Sequence, residues 1–140
     1  MMSKRVLYVE DHPNNRLLVQ RIVQAEGLEF LAAADAEAGW HTAVTHHPDL
    51  IFMDLHLPGG LTGFDLTRQL RQHPVFAHTP IVALTAFGND EAEQAALEAG
   101  CNGFLRKPAD IRQIRAILRQ YLGEPTPATQ PGTAVTVIYL

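Results

Sequence analysis

Leu50-Ile51-Phe52-Met53 is an apolar run of only four residues, and it ends on a carboxylate, Asp54. Leu55-His56-Leu57-Pro58-Gly59-Gly60 follows at once, so turn formers close the run. A segment this short, apolar at every position and bounded by Pro and Gly, predicts a strand buried on both faces. Such a strand needs cover above and below, which restricts the chain to a sheet flanked by helices. In open parallel sheets, reactive groups sit at the C-terminal ends of the strands. Asp54 is therefore the first candidate for a reactive group.

The same pattern recurs along the chain. Val6-Leu7-Tyr8-Val9 ends on Glu10-Asp11, and Ile81-Val82-Ala83-Leu84 ends on the hydroxyl of Thr85. Phe30 to Ala34 is a weaker strand, and Gly103-Phe104-Leu105 is a short one before Arg106-Lys107-Pro108. Between them lie helical spacings. Leu17, Leu18, Ile22 and Val23 form a stripe after His12-Pro13-Asn14-Asn15, with Pro in the first turn and Gly27 as C-cap. Asp35 caps a helix from Ala36 to His46. Leu61 to Arg71 is helical, residues 72–80 are a loop, and Asp90 to Ala99 is an alanine-rich helix ended by Gly100. Asp110 caps a last helix whose apolar face is Ile111, Ile114, Ile117, Leu118 and Tyr121, closed by Gly123. Alternation of this kind predicts an α/β fold, flavodoxin-like (βα)5: a five-stranded parallel sheet in order 2-1-3-4-5 with helices on both faces. The expected domain is 1–123. Residues 124–140 read as a tail, rich in Pro and Thr up to Gly132, then β-prone and apolar from Val135 to Leu140, which suits pairing with a sheet edge.

Composition excludes several classes. The net charge of -4 gives no general field for nucleic acid, so no direct DNA binding is expected. One cysteine, Cys101, excludes an internal disulfide framework and fits a reducing compartment. No apolar stretch approaches the roughly 20 residues of a membrane span, and the N-terminal apolar run is too short for a secretion signal. A cytoplasmic location is expected.

Glu10, Asp11, Asp54, Thr85 and Lys107 all fall at predicted strand ends, so the topology brings them to one edge. Singly, each is an ordinary cap or turn residue. Together, three carboxylates repel one another unless positive charge sits among them. All-oxygen ligation favours a hard cation, Mg²⁺, which takes one or two carboxylates plus phosphate oxygens. A carboxylate nucleophile, a metal, a lysine and a hydroxyl donor are the parts needed to accept a phosphoryl group, giving an aspartyl phosphate on Asp54. The seven histidines lack zinc-ligand spacing. Arg112, Arg115 and Arg119 lie on one face of the last helix, as a solvated row or a docking strip for an acidic partner.

Over residues 4–122 the chain resembles the receiver domain of two-component response regulators. The matching stretches are Val6-Leu7-Tyr8-Val9-Glu10-Asp11, Leu50 to Pro58, Ala83-Leu84-Thr85-Ala86 and Phe104-Leu105-Arg106-Lys107-Pro108. The resemblance implies Asp54 as phosphoacceptor, Glu10, Asp11 and the backbone carbonyl of His56 at a Mg²⁺ site, and Lys107 as phosphate contact. It implies Thr85 and Phe104 as a switch pair and a cis Lys107-Pro108 bond. The partners implied are a histidine kinase or histidine phosphotransfer domain and a downstream protein reached through the fourth helix, fifth strand and fifth helix; a homodimer is a further expectation. Such a domain is not a conventional enzyme, since it catalyses only its own phosphorylation and dephosphorylation. The Glu10 to Asn15 segment is most similar to stand-alone receivers and those fused to hybrid kinases. The start Met1-Met2-Ser3, and the lack of an output domain after Gly123, point to the stand-alone form.

The chain departs from the family between Pro58 and Gly63, where Gly59-Gly60-Leu61-Thr62 is one residue longer than usual and Thr62 replaces an aspartate; a looser loop is expected there. Three other readings compete. A haloacid-dehalogenase-type phosphatase would carry a second aspartate where His56 stands. A flavin binder would need a hydroxyl- and glycine-rich loop where Glu10-Asp11-His12-Pro13 stands. A phosphorylation-independent interaction module would not need Asp54, Thr85 and Lys107 intact.

Overall fold

A computed structural model describes residues 3–86 and 88–124. Five strands alternate with five helices: β1 Arg5–Val9, α1 Pro13–Ala25, β2 Glu29–Ala33, α2 Ala36–His46, β3 Leu50–Met53, α3 Gly63–Gln72, β4 Ile81–Thr85, α4 Asp90–Ala99, β5 Gly103–Arg106 and α5 Ile111–Leu122. The strands form one parallel sheet in the order β2-β1-β3-β4-β5, as the alternation predicts.

The period of the strands divides the core in two. Leu7, Val9, Ile51, Met53, Ile81 and Ala83 face one side, where α2, α3 and α4 contribute Ala36, Ala43, Leu66, Leu70 and Ala96. Val6, Tyr8, Leu50, Phe52, Val82 and Leu84 face the other, against Val19, Ile22 and Val23 of α1 and Ile114, Leu118 and Leu122 of α5. Every residue of β3 and β4 is buried, so the short apolar runs are central strands and not pieces of helix.

Several boundaries differ from the sequence expectation. Helix α3 starts at Gly63, two residues after Leu61, because Thr62 leaves the helix to cap it. Thr62 Oγ1 accepts from Asp65 N, and Asp65 Oδ2 accepts from Thr62 N at 2.9 Å, a reciprocal capping box. The loop after Asp54 is thus pinned at its far end and is not loose. Gly63 N also donates to Leu55 O at 3.1 Å. The stretch 72–80 is not all loop: Pro74–Phe76 forms a 3-10 turn, capped by His73 Nδ1, and Phe76 enters the core. On α5 the buried face is Ile114, Leu118 and Leu122, while Ile111 is 49% exposed, so the predicted apolar face is displaced at both ends. The arginine row is not a free docking strip either. Arg115 and Arg119 turn to Glu26 at the end of α1, with Arg119 Nε to Glu26 Oε1 at 2.9 Å. The β-prone end expected at 135–140, with its sheet-edge pairing, lies outside the described residues.

Candidate functional site

The sheet extends one residue past its strands, and that extension positions the polar groups. Glu10 N donates to Ala33 O at 2.8 Å, Asp54 N to Val9 O at 3.1 Å, and Lys107 N to Thr85 O at 2.8 Å. Each strand end is therefore fixed to its neighbour at the point where its reactive side chain begins. Carboxylate oxygens of Glu10, Asp11 and Asp54 come within 4.8 Å of one another. Glu10 is fully buried, Asp54 is 5% exposed, and Asp11 is partly open to solvent. Lys107 Nζ reaches Asp54 Oδ2 at 3.3 Å and pairs with Glu10 Oε1, bridging the first and third strands from the fifth. The Lys107-Pro108 peptide is cis. Asp54 Oδ1 accepts from His56 N at 3.1 Å. Thr85 is completely buried at the end of β4.

The electrostatics follow from this crowding. Burial pushes the Asp54 carboxyl up to about 6, and its hydrogen-bonding contact with Glu10 adds to the rise. Burial also opposes ionisation of Glu10, but the contacts with Asp54, Lys107 and Asn15 outweigh it and hold Glu10 at about 2. The donors converge on Glu10, so its carboxyl is held low while that of Asp54 is pushed up. One ammonium thus faces three carboxylates, which leaves negative charge uncompensated in a largely buried pocket. Glu10 Oε2 is buried and accepts from no donor. A buried acceptor without a donor, among hard oxygen ligands and surplus negative charge, fits a small divalent cation such as Mg²⁺. Among the described residues this acidic trio is the group of side chains placed to hold an ion.

The structure brings together Asp54, Glu10, Asp11 and Lys107, as the strand-end argument requires. Phe104 sits in β5 opposite Ala83, half buried against the core on the α2–α3–α4 side. Ala83 and Thr85 share a face of β4, so Phe104 and Thr85 are near neighbours on adjacent strands. The His56 side chain is exposed, while its backbone N–H reaches the Asp54 carboxylate. Sequence reasoning missed three contributors. Tyr8 and Asn15 donate to Glu10, and Gly63 backs onto the Asp54 backbone. Tyr8 reads in sequence as a core aromatic; the available signal was its place two residues before Glu10, on the same face of the strand.

The response regulator receiver domain family matches residues 6–119. The polar-differentiation response regulator DivK of Brucella abortus is 32% identical over 123 residues, covering 88% of this chain and 99% of that protein. Among solved structures, the chemotaxis response regulator CheY4 of Vibrio cholerae superposes with a TM-score of 0.80 at 28% identity, covering 86% of this chain and 99% of that one. The receiver domain of a Pseudomonas aeruginosa sensor histidine kinase, solved with magnesium coordinated in its active-site cleft, gives a TM-score of 0.79 at 30% identity over 88% and 100% of the two chains. The motifs at the strand ends, the sheet order, the acidic pocket and these similarities lead to one conclusion: the chain belongs to the response regulator receiver domains of two-component signalling.

Proposed function

We propose that Asp54 accepts a phosphoryl group from a histidine kinase or histidine phosphotransfer protein and that the phosphorylated domain acts on a protein partner. The observation that carries this reading is the convergence of a nearly buried Asp54 with Glu10, Asp11 and Lys107 within contact distance. An Asp54 oxygen attacks phosphorus as the bond to the donor nitrogen breaks, and that nitrogen keeps the bonding pair. Mg²⁺, held by Glu10, Asp11, Asp54 and the His56 carbonyl, supplies neutralising charge for the phosphoryl oxygens when bound. Lys107 holds a further phosphoryl oxygen, and its contact with Asp54 places it for that role. Glu10, held low by its donors, stays ionised in the buried part of the pocket. For attack Asp54 must be unprotonated, and since burial and Glu10 raise its carboxyl to about 6, nearby positive charge favours the attacking form.

The phosphoryl group adds nearly two negative charges at the end of β3. Thr85 then donates its hydroxyl to a phosphoryl oxygen, and the Phe104 ring moves into the space so released. The half-buried state of Phe104, beside Thr85 on the next strand, supports this coupling. The surface changed is that of α4, β5 and α5, which is the proposed contact for the downstream partner. Nothing in the charge balance favours DNA, and the buried thiol Cys101 suits a cytoplasmic setting.

The test is intact-mass analysis after incubation with acetyl phosphate. The wild type gains one phosphoryl group only when Mg²⁺ is present, and Asp54→Asn gains none. A wild type that binds Mg²⁺ yet stays unmodified by both acetyl phosphate and a phosphorylated histidine donor contradicts the proposal and leaves a phosphorylation-independent interaction module.

A further inference from the structure

Glu10 is held asymmetrically. Its Oε1 accepts from the Tyr8 hydroxyl at 3.2 Å, from the Asn15 amide at 2.8 Å and from the Lys107 ammonium. Its Oε2, equally buried, accepts from no donor. The backbone is held as well, since Arg16 donates to the Glu10 carbonyl at 2.8 Å. Tyr8 is 1% exposed and is itself fixed by an edge-on contact with Phe52, with ring centroids 6.2 Å apart at 74°. A free carboxylate exchanges its two oxygens by rotation. Three donors on one oxygen hold the carboxylate in this orientation and leave the other oxygen without a donor.

We propose that Tyr8 and Asn15 are positioning residues for divalent-cation binding: they grip Oε1 from behind so that Oε2 is presented, without a donor, to an ion among Glu10, Asp11 and Asp54. The inference rests on the functional reading above. The grip is matched to the length of glutamate. An aspartate at this position would withdraw its carboxylate by about 1.5 Å, one carbon–carbon bond, and the Tyr8 hydroxyl at 3.2 Å would fall out of hydrogen-bond range. Outer partners that orient a ligand characteristically change metal affinity by roughly 10–100-fold when lost. Here Lys107 and one further donor remain after either substitution, so the lower end of that range applies.

The experiment is calorimetric titration of the full chain with Mg²⁺ alone, for wild type, Tyr8→Phe, Asn15→Ala, Glu10→Asp and the double variant Tyr8→Phe/Glu10→Asp. Tyr8→Phe and Asn15→Ala each weaken Mg²⁺ binding about tenfold. In the Glu10→Asp background the Tyr8→Phe effect falls below about twofold, because the pair no longer interacts. A purely structural tyrosine would shift the melting temperature but not show this dependence on the length of residue 10. Thermal melts accompany each titration, and half-exposed Asn15 carries the comparison if Tyr8→Phe does not fold. Unchanged Mg²⁺ affinity in Tyr8→Phe and Asn15→Ala, or a Tyr8→Phe penalty that persists in full beside Glu10→Asp, overturns the inference alone. A wild type that takes up no Mg²⁺ overturns the functional reading with it.

Discussion

Asp54 is nearly buried beside a second carboxylate, and its reactivity comes at the expense of stability. Its carboxyl is raised from an ordinary 3.8 to about 6, first by burial and then by Glu10, so the folded state binds the proton more tightly than the unfolded chain does. Stability from this group is present below about pH 4 and is lost as pH rises through about 6. Asp54→Asn removes this cost of ionisation, so the variant melts higher than wild type at pH 7, and the gain shrinks when the melts are repeated near pH 4. Equal melting temperatures at pH 7 would contradict this electrostatic picture. A second expectation concerns His56, whose exposed side chain borders Asp54 through its own backbone. His56→Ala changes the dephosphorylation rate of the phospho-form, and an identical rate would assign the side chain no part. Asp54 was legible in the sequence because its strand is apolar throughout and ends on one charge. Tyr8 was not, because an aromatic in a buried strand reads as core until its hydroxyl is seen on Glu10.

At the scale of elements, the loop between β3 and α3 shows where local sequence rules hold and where they fail. Leu61 keeps helical spacing with Phe64, which extends the apparent helix backward, yet Thr62 and Asp65 form a capping box that starts it at Gly63. A capping signal outweighs apolar spacing because it satisfies backbone donors that spacing leaves open. Gly63 is there for a steric reason that no periodicity encodes: a Cβ would lie 2.1 Å from Asp54 O and 2.8 Å from Leu55 Cα. Both contacts are backbone and cannot move aside. Gly63→Ala therefore destabilises by about 3 kcal/mol and displaces Asp54, lowering phosphorylation along with the melting temperature. Gly60 has open space but a φ of +92°, so Gly60→Ala costs only about 1 kcal/mol and leaves phosphorylation near wild type. Reversal of that order in denaturant melts would refute the steric argument. The last helix was misjudged for a related reason. Its spacing put Ile111 inside, but Ile111 is the first residue of the helix and is 49% exposed, and Leu122 takes the buried position at the other end.

At the scale of the whole molecule, the sheet order follows from the alternation of short strands and helices, and this was fully legible. How the α1–α5 layer locks was not, since the contacts join distant segments. Glu26 at the end of α1 receives both Arg115 and Arg119 of α5, and Lys4 donates to Leu122 O at 3.1 Å. These pairs tie one layer together behind the site, while α4 and β5 carry the half-buried Phe104 on the opposite side. Phosphorylation at Asp54 is expected to shift the Phe104 ring resonances in the wild type, and Thr85→Ala is expected to accept the phosphoryl group without that shift. The central claim is that Asp54 itself carries the phosphoryl group. Borohydride reduction of the acetyl-phosphate-treated protein, followed by peptide mass mapping, tests it most directly, because reduction turns an aspartyl phosphate into homoserine at the modified position. The account predicts homoserine at position 54 alone, and only in samples containing Mg²⁺; homoserine elsewhere, or none in a sample whose intact mass shows a phosphoryl group, would contradict it.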